Sequence, residues 1–157
     1  MFAFLKTIFE EGGAETPADE AHAKALAAAT LFFEAAASDG TIGTRELERI
    51  SHLLTTRFSL TEIEAQDMCR QARDRQSEAI EMSNFTRDAK QRFAPNERID
   101  LMEMLWEVAY ADGVLEDFEA NLMRRLSGLL YVDDRDNGKA RKRAIATLGL
   151  KPGLNDA

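Results

Sequence analysis

Cysteine is almost missing from this sequence, Cys69 being the single one. That excludes an internal disulfide framework and any zinc site built from several thiolates, and it points to a reducing compartment, with the cytoplasm as the expected address. Proline and glycine are also scarce, three and nine among 157 residues. β-Branched residues are few while alanine and leucine abound, so helices should dominate and a sheet-rich fold is excluded. No run approaches the roughly 18–20 uninterrupted apolar residues that a membrane-spanning helix needs. The opening MFAFLKTIFEEGG lacks the charged start and small-residue cleavage site of a secretory signal. Its Phe2, Leu5, Ile8 and Phe9 instead suit residues 1–9 to pack on the domain itself or to rest on a membrane surface or a partner. Positive charge is in deficit: 20 basic against 28 acidic residues leave a net charge of −8, which repels a phosphate backbone and argues against nucleic acid as a partner.

Catalytic signatures are missing as well. His22 and His52 lie on predicted helices with no Ser, Cys or Asp partner at a telling spacing. There is no glycine-rich phosphate loop, no HExxH and no CxxC, and Cys69 falls on an apolar stripe, where a thiol is usually packing material. The expectation is a protein that is not an enzyme and has no organic cofactor.

What is present reads as about seven helices in one compact domain. Thr16 is a natural N-cap, followed by Pro17 at the first helical position and by Asp19 and Glu20 in the first turn. A stripe of Ala21, Ala25, Ala28, Ala29, Phe32, Phe33 and Ala36 makes this a core helix with room for close neighbours. A second helix is predicted from about Gly43, carrying Leu47, Ile50, Leu53, Leu54 and Phe58. A third should start within two overlapping capping boxes, Ser59 with Glu62 and Thr61 with Glu64, and bury Ile63, Met68 and Cys69. Further helices are expected from about Ser77 to Phe93, from Pro95, and from about Glu116 to Leu130. The last begins at the acidic cluster Asp133 to Asp136 and is closed by Gly149. Its basic run, Lys139, Arg141, Lys142 and Arg143, reads as a solvated face matched to the helix dipole. Residues 1–15 are set apart as an apolar segment, docked or flexible, 16–150 as the helical domain, and 151–157 as a frayed tail.

Two of the breaks between helices repeat. Shifting the sequence by 73 positions superposes Glu34 on Glu107, Ala36 on Ala109, Asp39 on Asp112, Gly40 on Gly113, Glu46 on Glu119 and Leu53 on Leu126. Both copies read E-x4-D-G-x-[IL]-x3-E between apolar-striped helices, which implies two related helix-turn-helix units with pseudo-symmetry. Each repeated position has a structural use: glycine for a sharp reversal, Ile42 and Leu115 to pin the loop, and Glu46 and Glu119 to cap the next helix. The same spacing matches the second half of an EF-hand loop, with its acid, glycine, aliphatic and glutamate at positions 5, 6, 8 and 12. Positions 1 and 3 of that loop fall on Ala35 and Ala37 in one copy and on Val108 and Tyr110 in the other, so neither turn alone supplies the oxygens calcium requires. A site would need the turns close together, with Glu34, Asp39, Glu46, Glu107, Asp112 and Glu119 as candidate ligands of Ca²⁺ or Mg²⁺. Capping and metal binding use the same residues, and both readings stay open.

The segments FFEAAASDGTIGTRELERI and LWEVAYADGVLEDFEANLMRRL, with FTRDAKQRF between them and RKRAIATLGL near the end, resemble the TerB-like family, named after tellurite resistance protein TerB, over about residues 22–150. The resemblance implies an all-α fold of about seven helices around a pseudo-symmetric core, with acidic sites at the two DG turns. It also implies an association with stress and tellurite-resistance systems, mostly bacterial, and a role in metal binding or protein assembly. Asp39, Glu46, Asp112 and Glu119 match the family's acidic positions, as do Glu34 and Glu107; Gly43 departs from it, standing where a hydroxylated cap is usual. Direct handling of tellurite is disfavoured by the net negative charge, and its reduction by the want of paired thiols. The expected function is a helical module that takes up a divalent cation weakly at the DG turns and binds a protein partner. The alternative is a metal-free interaction scaffold or chaperone-associated adaptor, docked at a membrane surface through residues 1–9.

Overall fold

The computed structural model describes residues 16–37, 41–78, 82–114 and 117–150. The apolar segment 1–15, the tail 151–157, Ser38, Asp39, Gly40, Leu115 and Glu116 lie outside the described residues. Every element described is a helix: α1 Pro17–Ala36, α2 Thr44–Arg57, α3 Glu62–Glu78, α4 Met82–Arg92, α5 Pro95–Ala109, α6 Asp117–Leu129 and α7 Asp134–Leu148.

The helix starts follow from local chemistry. Thr16 Oγ1 accepts from the Asp19 amide at 3.0 Å and Asp19 accepts from the Thr16 amide at 3.4 Å, the reciprocal box that opens α1. Of the two overlapping boxes ahead of α3, Thr61 and Glu64 form theirs, at 3.1 and 2.8 Å. Ser59 has φ 60°, outside the extended region an N-cap occupies, so the Ser59–Glu62 box does not form. Asp133 caps α7 by accepting from the Asp136 amide at 2.8 Å, and Gly149 at φ 73° ends it.

At the head of α2 the cap is half built. The Glu46 carboxylate accepts from the Gly43 amide at 2.7 Å, and Gly43 has no side chain with which to answer. Its φ of −81° and ψ of 165° suit any N-cap residue, and a Cβ there would lie 3.4 Å from Glu46 Oε1, an ordinary contact. Gly43→Ser should therefore stabilise the protein by about 0.3–0.5 kcal/mol, roughly 1 °C in Tm for a domain of this size, measured by thermal unfolding.

α1 is the central helix. Ten of its twenty residues are buried, and it packs on α2, α3, α4, α5 and α6. Small side chains at Ala25, Ala28, Ala29 and Ala36 allow that approach, while Phe32 and Phe33 fill the space between helices. The most extensive pairings are α5 with α7 and α1 with α3. The helix bounds carry the 73-residue repeat: α1 ends at Ala36 and α5 at Ala109, α2 begins at Thr44 and α6 at Asp117. Lys24 and Glu97, also separated by 73, pair at 3.0 Å.

Several sequence readings need correction. Ala21, expected in the apolar stripe of α1, is exposed, and Ser77 belongs to the end of α3, with α4 running over Met82–Arg92. Ile63 is 78% exposed; the apolar edge through which α3 packs is Ala65, Met68 and Ala72. The basic run of α7 is not uniformly solvated. Arg141 lies over the rings of Trp106 and Tyr110, 5.3 and 5.8 Å from their centroids, and donates to the Tyr110 hydroxyl at 2.9 Å. Arg143 pairs with Glu103 at 2.7 Å. Together with the Trp106 indole, which donates to Asn137 at 2.9 Å, these arginines fasten α7 to α5 through their stems and planar heads.

Candidate functional site

The repeated glutamates occupy unfavourable places. Glu34 and Glu107 stand in the last turns of α1 and α5, where the helix dipole disfavours a carboxylate and neither helix has a basic residue to offset it. Each is held by another helix. Gln76 of α3 donates to Glu34 at 3.0 Å, and Arg49 of α2 pairs with Glu107 at 3.5 Å. The second contact joins the first repeat unit to the second. Glu107 is 2% exposed. Burial pushes its carboxyl above the ordinary value, opposed by Arg49 and Arg57 and reinforced by Glu103.

Glu46 and Glu119, third residues of α2 and α6, are both buried, and Glu46 is the cap already described. Asp112 is exposed and closes its own turn: Oδ1 accepts from the Val114 amide at 3.1 Å across Gly113, whose φ is 87°. A Cβ on Gly113 would meet nothing within 4 Å, so Gly113→Ala should cost only the left-handed backbone conformation, about 1 kcal/mol by chemical denaturation. Asp39 lies outside the described residues. Among the described residues no group of three or more His, Cys, Asp or Glu converges as a metal site would require.

The place where the units meet is a groove of about 550 Å³. One wall is a single face of α2, with Arg45, Glu48, Arg49 and His52 at helical spacing. The other is Ala111 of the second DG turn with Thr147 and Leu148 from the end of α7. Two guanidinium groups and an imidazole thus line the groove with one carboxylate, Glu48, while Glu107 behind Arg49 offsets one of the two positive charges. Arg45, exposed at the second position of α2, opposes the helix dipole and has no ion-pair partner among the described residues. Sequence reasoning passed over Arg45 and Arg49 because it sought acids. The signal was there in a cation placed at the wrong end of a helix. A second hollow, of about 340 Å³ beside Phe58 and Phe93, is lined by Lys24 and Arg57 with Glu97 and Asp100; its Lys24 is paired with Glu97 and lies 5.0 Å from the Phe93 ring centroid.

A family model described as tellurite resistance protein TerB matches residues 25–142, well over half of the chain. The chain belongs to the TerB family. No curated protein and no solved structure matches it. The matched stretch of this TerB-family chain runs from within α1 into α7 and takes in both DG turns and the Arg49–Glu107 contact. No helix among the described residues is long and apolar enough to cross a membrane.

Proposed function

We propose that this TerB-family chain is a non-catalytic helical interaction module whose working surface is the groove between α2 and α7. The observation that carries the reading is the division of labour among charges at the junction of the two units. The buried Glu107 is committed to Arg49 within the fold, whereas Arg45 stands exposed at the groove mouth without an ion-pair partner among the described residues. A charge held against a helix dipole and left for solvent is poorly explained by stability and well explained by recognition. The test is a photo-crosslinking residue at position 48 in the groove, compared with one at position 63 on the far exposed face of α3. A discrete protein adduct from position 48 alone is expected; equal adducts from both positions, or none from either, would overturn the reading.

A second reading, weak uptake of Ca²⁺ or Mg²⁺ at the DG turns, is favoured by the carboxylates at the C-terminal ends of α1 and α5, whose unfavourable position a divalent ion would relieve. Calorimetric titration with the cations, followed in parallel by Trp106 fluorescence, addresses it. Under this reading Asp112→Asn weakens uptake with the fold intact; heatless titrations and an unchanged spectrum at millimolar cation would remove it.

A further inference from the structure

Building on the interaction-module reading, we infer that the groove between α2 and α7 receives an acidic peptide segment of a partner protein, with carboxylates against the arginines and an apolar side chain on Leu148. Arg45, Glu48, Arg49 and His52 repeat at intervals of three and four residues, so they form one stripe along α2. The opposite side of the same helix, Ile50, Leu53 and Leu54, is in the core, which fixes the stripe in place. Arg49 is held from behind by Glu107 at 3.5 Å and keeps 22% of its side chain exposed. A guanidinium has five N–H donors in a rigid fork, so that hold leaves donors for a second carboxylate and limits the ordering cost of binding one.

The far wall suits an anion-bearing peptide better than a bare anion. Leu148 and Ala111 give it an apolar floor, and two carbonyls near the end of α7 are taken up within the chain, Gly149 donating to Ala146 and Leu150 to Ile145 at 3.1 and 3.0 Å. The volume of about 550 Å³ holds several side chains. A continuous polyanion is opposed by the −8 net charge, whereas a short acidic stretch meets only the local field. Glu48 is the groove's own acid and serves as an internal gauge of sign.

The experiment uses the full chain and a fluorescently labelled short peptide alternating glutamate with leucine, followed by anisotropy. Its lysine-for-glutamate counterpart, a single-stranded oligonucleotide and inorganic phosphate serve as competitors. Saturable binding that weakens with salt is expected. Arg45→Glu should weaken it at least about tenfold and Glu48→Gln should tighten it about threefold, both positions being exposed, so that far-ultraviolet circular dichroism stays unchanged. Three results would overturn the inference: the lysine peptide or the oligonucleotide competing as well as the acidic peptide, phosphate displacing it at comparable concentration, or Arg45→Glu leaving affinity within about twofold. Absence of acidic-peptide binding beside a discrete adduct from position 48 would reject the acidic partner and spare the module; absence of both would reject the two together.

Discussion

Phe32→Ala should lower the stability of the domain by about 3–5 kcal/mol, enough to take much of the 5–15 kcal/mol margin typical of a natural domain. The ring is fully buried on the central helix and meets Phe58, which follows the end of α2, edge to face at a centroid distance of 6.5 Å. Five helices pack on α1, so a void left there cannot close by moving one neighbour. Denaturant unfolding would show the midpoint falling with an unchanged slope. A loss below about 1 kcal/mol would mean that the core repacks freely around α1. Because Phe58 lies at the foot of the helix that forms the groove wall, the same variant should also weaken whatever the groove binds.

The second large effect is expected at Arg49. Arg49→Ala leaves Glu107 buried without its closest cation and should cost about 2 kcal/mol at neutral pH, below the 3–5 kcal/mol of a fully buried pair. The reduction reflects the partial exposure of Arg49 and the second arginine, Arg57, that also acts on Glu107. Glu107→Gln should be neutral or stabilising, because the uncharged amide avoids the burial that pushes this carboxyl upward. The pH dependence has a definite sign. A carboxyl with a raised native value binds more protons folded than unfolded, so its contribution is fully present below the ordinary glutamate value and is lost as pH rises through the raised one. The advantage of Glu107→Gln over the natural protein should therefore grow from acid toward neutral pH and vanish on acidification. Thermal melts of both proteins across that window measure it; an advantage that grows as pH falls would reverse the assignment.

The fold was legible where short-range chemistry decides it. Thr16 with Asp19, Thr61 with Glu64, and Asp133 and Gly149 at the two ends of α7 each announce a helix end with residues only a few positions apart. The 73-residue shift also recurs in the helix bounds, Ala36 with Ala109 and Thr44 with Asp117. Ile63 misled because apolar spacing names a face without saying which of its residues the neighbouring helix covers, and α3 packs through Ala65, Met68 and Ala72. The site was less legible for a related reason. Glu107 is visible as a repeated acid, but its partner Arg49 comes from another helix and becomes visible only when α2 docks on α5. Arg141 was hidden likewise, within a charge run whose members differ only in what α5 presents to them: Trp106 and Tyr110 for Arg141, Glu103 for Arg143.

The tie between the two repeat units is most directly tested by a double-mutant cycle on Arg49→Ala and Glu107→Gln, with stability measured in chelator and again in millimolar calcium. If the repeated glutamate serves to lock one unit onto the other, the two changes are coupled by about 1–2 kcal/mol, equally in both conditions. Strict additivity, or a coupling that depends on calcium, would show instead that Glu107 is held in reserve for a cation.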